Sequence, residues 1–259
     1  MIRWVHEEKY DGRISYRLGN EGSSVVAEWV GLASFRSDRT PRLIPDPDAD
    51  PSRLRKVTFG AVRAIERALE NQWSLHGAAI AVRGEGHLFI GESGAGKSTL
   101  AATLVQSYGA DLLADDMAFV DLVDERFRIT PGEREHWLHR PASGLGPATA
   151  SSNLNKKVPI EARSVAAQPV VLAAICEVVV DQTIAVPTLT ALKGVDAMLA
   201  TSKALFLLSP HVPHEVCRHL DAVAGLVHSV PLCRLRRPWA GDSTAVAEAY
   251  LRASVDPRG

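Results

Sequence analysis

The fold is most clearly indicated by the run His87-Leu88-Phe89-Ile90-Gly91-Glu92-Ser93-Gly94-Ala95-Gly96-Lys97-Ser98-Thr99. Its apolar start predicts a strand, and from Gly91 the spacing Gly-x4-Gly-Lys-Ser matches the Walker A pattern. The glycines allow a positive φ, so successive backbone N–H groups can point at a phosphate. Lys97 reaches the β- and γ-phosphates, and the Ser98 hydroxyl is a magnesium ligand. We therefore predict that residues 91–99 bind a nucleoside triphosphate with magnesium.

A pair of acids follows the next predicted strand, Ala110–Ala114, at Asp115-Asp116. Carboxylates at the end of a strand that follows a phosphate-loop helix lie where magnesium needs acidic ligands. One acid would hold the metal and the other would accept the proton of an attacking hydroxyl. The alternative interpretation is that they cap a turn.

Strands and helices alternate through most of the chain, which predicts an α/β layer architecture. Residues 1–50 form a small strand-rich piece, with a linker or ordered loop over 41–51, and residues 51–259 form the phosphate-loop domain. A helix from Ser52 is predicted to turn Leu54, Val57, Ala61, Ile65 and Leu69 inward, with Pro51 in its first turn.

Composition excludes several classes of protein. The net charge is −1 over 259 residues, so no general attraction to nucleic acid or to an anionic membrane is expected. No apolar stretch approaches the roughly 18 residues that span a bilayer. The three cysteines match neither a zinc pattern nor a disulfide framework. These features predict a cytoplasmic protein.

Other charged residues are candidates for contacts to substrate or phosphate, although each set also fits a solvated surface. Lys156 and Lys157 could clamp the triphosphate, and Arg234, Arg236 and Arg237 near a strand end could hold the nucleotide or an acidic peptide. Residues 127–141 are interpreted as a mobile loop that faces the substrate and supplies Arg140 or Arg134. His136 and His139 could share a helical face there, but no ligand set for a metal accompanies them.

The run Ser74-Leu75-His76-Gly77, the glycine loop and Asp115-Asp116 together resemble the catalytic domain of HPr kinase/phosphorylase and its shorter relatives. The resemblance implies a mixed sheet of the phosphoenolpyruvate-carboxykinase type and transfer of the γ-phosphate of ATP, with Mg²⁺, to a serine or threonine hydroxyl. It also implies a homo-oligomer. His76 would lie near the transferred phosphate, Asp115 would be the base, and Asp116 would contact the metal with Ser98. Lys97 completes the implied catalytic set, and residues 91–99 would hold the nucleotide.

The sequence departs from that family at two points, because the family's catalytic arginine signature is not found and the N-terminal piece is short. Phosphorylase activity and HPr as a substrate are therefore not expected. The resemblance to the shorter relatives, which accompany peptide-modification pathways, implies a peptide serine, such as one in a natural-product precursor, as the acceptor. Two alternatives stay open: a nucleotide-binding regulatory module without transfer activity, and a kinase of a small-molecule hydroxyl. A GTPase switch is disfavoured because Val158 follows Asn155-Lys156-Lys157, where an aspartate is needed.

Overall fold

The computed structural model describes residues 4–10, 14–19, 22–27, 31–36, 39–45, 47–139, 157–207, 213–239 and 242–254. The chain divides into two compact units. The first comprises Met1–Gln72 with Leu207–Glu215, and the second comprises Trp73–Phe206 with Val216–Gly259. This division falls at 72/73, after the helical segment, whereas the domain boundary predicted from composition falls at 50/51.

The first unit contains an antiparallel sheet in which, among the described residues, each strand pairs with the next along the chain. Its strands are β1 (Trp4–Tyr10), β2 (Ile14–Gly19), β3 (Gly22–Ala27), β4 (Gly31–Arg36) and β5 (Arg39–Pro45). The predicted strand-rich start is therefore confirmed. The predicted linker over 41–51 is wrong in its first half, because β5 extends to Pro45 and leaves only residues 46–50 before the first helix.

A helical segment of three parts follows in the same unit: α1 (Pro51–Val57), a π-helical stretch (Thr58–Val62) and α2 (Arg63–Leu69). Leu54 N–H donates to Asp50 O at 2.9 Å, so the helix starts around Pro51 as predicted. The predicted inward face is wrong at its far end, where Leu69 is 48% exposed while Ala64 and Ile65 are buried. A π turn holds more residues than an α turn, so it shifts the phase of the apolar face.

The second unit is built on one mixed sheet with helices on both faces. Its elements are β6 (Trp73–His76), β7 (Ala78–Val82), β8 (Glu85–Ile90), α3 (Lys97–Tyr108), β9 (Asp111–Ala114), β10 (Met117–Val123), β11 (Arg126–Thr130), β12 (Glu135–His139), β13 (Lys157–Glu161), β14 (Val170–Val180), β15 (Thr188–Ala191), α4 (Gly194–Ala204), α5 (Pro213–Ser229), β16 (Leu232–Arg237) and α6 (Ser243–Ser254). Among the described residues, nine of these strands share the sheet, and β12 and β13 form a separate hairpin. The predicted α/β mixed-sheet class is confirmed.

Strand direction brings several chain segments to one edge of this sheet. β8 runs parallel to β14, and β14 runs parallel to β16. β7 is antiparallel to both β8 and β9, so those two strands point the same way. The carboxyl ends of β8, β9, β14 and β16 therefore meet at the same edge as the start of β7. Ligands of open α/β sheets bind outside the carboxyl ends of the strands.

Side chains alternate across β8 into two hydrophobic cores. Leu88 and Ile90 pack in the core that α4 and α5 cover, whereas Phe89 packs in the core that α3 and α6 cover. A strand buried on both faces reads as a continuous apolar run, which is why the sequence before the glycine loop lacks an alternating pattern. The glycine loop therefore starts from a strand that is fixed on both sides.

Two ends of the main sheet are covered by short segments. Beside β9, Leu112 N–H donates to Ser164 O at 2.9 Å, and Ala166 N–H donates to Leu112 O at 3.0 Å. Beside β6, Phe206 N–H donates to Ser74 O at 2.8 Å. Both outer strands thus have part of their backbone paired by residues that lie outside the named strands.

The segment 127–141 differs from its prediction as a mobile loop. Its described part contains the end of β11 and all of β12, and His136 lies in a strand that pairs with β13 rather than on a helix. Trp137 and Leu138 are buried. The described part of this segment is therefore held in place by packing. Arg140 lies outside the described residues. In the part of the chain that the structure describes, no helix is both long and apolar enough to cross a membrane.

Candidate functional site

The loop between β8 and α3 has the backbone that its glycines predict. Gly91, Gly94 and Gly96 have φ values of 131°, 81° and 98°, in the region that residues with a Cβ rarely adopt. A Cβ at Gly91 would also lie 2.5 Å from Val178 O on the neighbouring strand. The loop is thus held against β14 at one end and enters α3 at the other.

Lys97 is the first residue of α3 and is buried within the loop. Its Nζ donates hydrogen bonds to Gly91 O at 2.7 Å and Glu92 O at 2.9 Å. The amino group therefore lies inside the curve of the loop, at the positive end of a helix of 12 residues. A helix N-terminus with a lysine and a glycine-rich loop forms a site for an anion.

Asp116 and His76 meet at the same edge because β6 pairs with β10, with Met117 opposite His76. His76 Nδ1 lies 3.8 Å from Asp116 Oδ1, and their side chains are 33% and 28% exposed. Gly77 N–H donates to Asp116 O at 3.0 Å. A Cβ at Gly77 would collide with Phe89 O, which explains why glycine follows the histidine.

Asp115 has the opposite surroundings, because its side chain has no exposed surface. Its Oδ2 accepts a hydrogen bond from Trp137 N–H, and its own N–H donates to Glu133 Oε2 at 2.7 Å. His136 Nδ1 lies 3.9 Å from Asp115 Oδ1. Residues 133–137 therefore enclose the first acid of the pair while the second stays open to solvent.

Glu133, His136 and Trp137 were not predicted as partners of Asp115. The signal available was the apolar pair Trp137-Leu138 after a run of charged residues, which could have indicated a strand. Neither ring nitrogen of His136 has a hydrogen-bond partner within the described ranges. No cluster of three or more His, Cys, Asp or Glu side chains able to hold a metal is found in the described residues.

The donor atoms around Ser98 fit the magnesium ion that a phosphate loop implies. Ser98 Oγ lies 3.5 Å from Asp115 O, so its hydroxyl contacts the backbone of the acidic pair. Asp115 Oδ1 is buried and has no hydrogen-bond partner among the described residues. Hydroxyl and carboxylate oxygens are the ligands that Mg²⁺ prefers. Ser98 and the acidic pair are therefore the residues that could hold the ion.

The three arginines near the end of β16 have separate partners. Arg234 Nε donates to Glu177 Oε2 at 2.6 Å, and Arg236 Nη1 lies 3.6 Å from Asp181 Oδ2. Arg237 Nε instead donates to Ala95 O at 2.7 Å, and Nη2 donates to Gly94 O at 3.5 Å. Burial lowers the pKa of Arg237 from its usual value. Only Arg237 contacts the glycine loop among these three.

The predicted lysines cannot be placed at the site. Lys156 lies outside the described residues, as Arg140 does, and Lys157 begins β13 with its side chain outside the described part of the chain. Arg134 is exposed just before β12. The structure thus brings together the glycine loop, Lys97, Ser98, both acids, His76 and Arg237.

The fold and this edge define an α/β domain with a glycine-rich loop between a strand and a helix. Residues 67–139 match the family model of the HPr Serine kinase C-terminal domain. That range contains His76, the glycine loop and both acids, so the resemblance stated from the motifs is confirmed there.

Among solved structures, the chain is similar to the Hpr(Ser) kinase/phosphatase from Coxiella burnetii. The TM-score is 0.40 and the sequence identity is 10%, over 72% of this chain and 99% of that chain. None of the curated proteins compared with the chain matches it.

Proposed function

We propose that the protein is a kinase that transfers the γ-phosphate of ATP, with magnesium, to a serine or threonine hydroxyl of a peptide or protein. One observation carries the proposal: the glycine loop with Lys97 and the open pair Asp116–His76 lie at the same sheet edge. A phosphate donor and an acceptor group need to meet at such a place, and positioning with charge neutralisation supplies most of the rate in phosphoryl transfer.

Lys97 and the loop would bind the phosphates. The Lys97 amino group donates to two loop carbonyls, and the β- and γ-phosphates would take over these hydrogen bonds. Backbone N–H groups at the start of α3 would donate to the same oxygens. The negative charge that develops during transfer would then be neutralised by groups that are already in place.

Asp116 is the acid that would accept the proton of the attacking hydroxyl, with His76 holding and orienting its carboxylate. A hydroxyl on a peptide must arrive from solvent, and only Asp116 of the two acids has exposed side-chain surface. This proposal exchanges the roles expected from the resemblance, in which Asp115 is the base and Asp116 contacts the metal.

Magnesium would be held by Ser98 and Asp115, because a small ion can be enclosed where a peptide cannot. When bound, the ion would neutralise charge on the phosphates. Asp115 Oδ1, which lacks a hydrogen-bond partner among the described residues, supports this assignment.

The test is to incubate the purified chain with magnesium, γ-labelled ATP and a panel of serine-containing peptides and proteins, and to locate the label by mass spectrometry. We expect label on an acceptor hydroxyl, and its loss in Lys97→Ala and in Asp116→Asn. Asp124→Asn is the matched control, because Asp124 is an exposed acid in the turn before β11.

Other results would contradict the proposal. Tight ATP binding without transfer to any acceptor would favour a regulatory module. Label on a small-molecule hydroxyl instead of a peptide would keep the kinase chemistry and correct the acceptor. Transfer that survives in Asp116→Asn and fails in Asp115→Asn would restore Asp115 as the base.

A further inference from the structure

A shallow recess with an exposed tryptophan lies beyond the end of β16. Its cavity volume is about 470 Å³, and it is lined by Gln182, Ile184, Pro238 and Trp239. Trp239 is 69% exposed. The volume falls within the roughly 300–1,000 Å³ of small-molecule sites. A large aromatic surface with an amide beside it is suited to a flat ring that carries hydrogen-bonding groups.

One guanidinium connects this recess to the glycine loop. Arg237 Nε donates to Ala95 O at 2.7 Å, while Nη1 donates to Pro238 O at 3.0 Å and to Trp239 O at 3.3 Å. The same side chain thus bonds the loop and the backbone of the recess wall. These hydrogen bonds place the recess wall beside the glycine loop.

Phosphates bound by the loop would therefore have the recess, with its exposed tryptophan, nearby. A nucleotide joins phosphates to a flat base through a ribose, so one ligand can occupy both places. Stacking on an aromatic ring tolerates any base. The Gln182 amide can both donate and accept a hydrogen bond, which lets it pair with the edge of adenine or of guanine.

We propose that this recess binds the base of the nucleotide whose phosphates the glycine loop holds, with Trp239 as the stacking surface and a purine as the ligand. The inference rests on the proposed function for the phosphate loop. It adds a base site formed by the segment after β16 and the segment after β14. Arg237 is a positioning residue for both parts of the ligand.

The experiment measures binding by calorimetry with the full chain and two magnesium-loaded ligands, ATP and inorganic tripolyphosphate. Trp239→Ala should weaken ATP binding roughly 5- to 150-fold, the range expected for loss of one base stack. Its tripolyphosphate binding should stay within about 2-fold, because that ligand has no base. Trp239→Phe, which keeps an aromatic ring, should restore most of the ATP affinity.

Val186→Ala is the matched control, because Val186 is an apolar side chain of the same surface segment, 65% exposed, and does not line the recess. Unchanged ATP binding in Trp239→Ala would overturn the base site. Equal weakening of both ligands would also overturn it, since Trp239 would then act on the loop and not on the base.

The two proposals fail in different ways. If the parent chain binds neither ligand, the proposed function is wrong and the base site is wrong with it. If Lys97→Ala weakens both ligands while Trp239→Ala weakens neither, the phosphate loop stands and only the base site is wrong.

Discussion

Asp115 and Asp116 are neighbours in the chain, yet they lie in two different regions of the site. Asp115 belongs to a buried region with Glu133, His136 and Trp137, where it accepts a backbone hydrogen bond. Asp116 belongs to a partly exposed region, where its Oδ1 lies 3.8 Å from His76 Nδ1. The difference shows how one strand end can supply one group fixed by packing and one that stays accessible.

The two acids should contribute to different properties of the protein, Asp115 to folding stability and Asp116 to turnover. A buried polar group costs free energy when its partner is removed, because the group that remains is cut off from water. Removing an exposed group lowers the free energy of unfolding only slightly, because water can solvate the partner that remains. Substitutions in the buried region should therefore change folding first, and substitutions in the partly exposed region should change turnover first.

The largest effect is expected from Asp116→Asn. Loss of the proton acceptor should lower kcat by roughly 10²- to 10⁴-fold, while ATP affinity stays within about 3-fold and Tm within about 2 °C. Steady-state kinetics, calorimetry and thermal unfolding of the same preparation check the three values. Asp124→Asn should match the parent in all of them. A large fall in Tm for Asp116→Asn would show that Asp116, like Asp115, stabilises the fold.

Asp115→Ala should act mainly through stability. It removes the acceptor of the Trp137 N–H inside a buried cluster, so we expect the free energy of unfolding to fall by about 2–4 kcal/mol and Tm by about 5–10 °C. Denaturant titration followed by far-UV circular dichroism measures the change. Asp116→Ala is the control and should lose less than about 0.5 kcal/mol. Equal losses in the two variants would contradict the difference between the regions.

Gly91→Ala tests how closely the loop must approach β14. The added Cβ would meet Val178 O, and φ at Gly91 is positive, so we expect a loss of about 1–3 kcal/mol and ATP binding weakened at least 10-fold. Gly84→Ala is a matched control, because Gly84 also has a positive φ but a Cβ there would have no neighbour within 4 Å. If both variants behave alike, backbone strain and not contact with β14 is the cause.

The smallest effect concerns His87, a buried histidine away from the site whose Nδ1 lies 2.7 Å from the Tyr250 hydroxyl oxygen. Burial lowers the pKa of His87 below its usual value. As the pH falls below about 6.5, the unfolded chain gains a proton that the folded chain resists, so stability present at neutral pH is lost. His87→Gln should reduce this loss by roughly 1 kcal/mol between pH 7 and pH 5.

Denaturant titrations at several pH values measure the His87 effect. His228→Gln is the control, because His228 is exposed in the last turn of α5. An unchanged pH slope in His87→Gln would show that other groups cause the acid sensitivity.

The sequence was sufficient for the parts of the site that are local. The glycine loop, the start of α3 and the acids after β9 depend on residues within a few positions of one another, and their chemistry is visible in the spacing. Naming His76 as a site residue needed the family resemblance, because β6 and β10 are separated by about 40 residues of chain. Its proximity to Asp116 was not predicted.

The rest required packing between distant segments. Two partners of Asp115, His136 and Trp137, lie in β12, and the third, Glu133, lies just before it. The strand that pairs with β12, β13, begins only after 17 intervening residues. The charged residues before Trp137 were interpreted as a loop, because hydrophobic periodicity does not show which side chains a hairpin buries. From the sequence, Arg234, Arg236 and Arg237 were equal candidates for contacts to the nucleotide or an acidic peptide. In the structure Arg234 pairs with Glu177 and Arg236 with Asp181, and Arg237 contacts the glycine loop.

The short segments beside β9 and β6 have a consequence for how copies of the chain meet. An outer strand with bare N–H and C=O groups is a template on which a strand of another molecule can add, which leads to aggregation. Ser164 and Ala166 occupy such groups of Leu112, and Phe206 occupies one of Ser74. At these positions of β9 and β6 a strand of another molecule cannot add, because the backbone groups it would need are already paired.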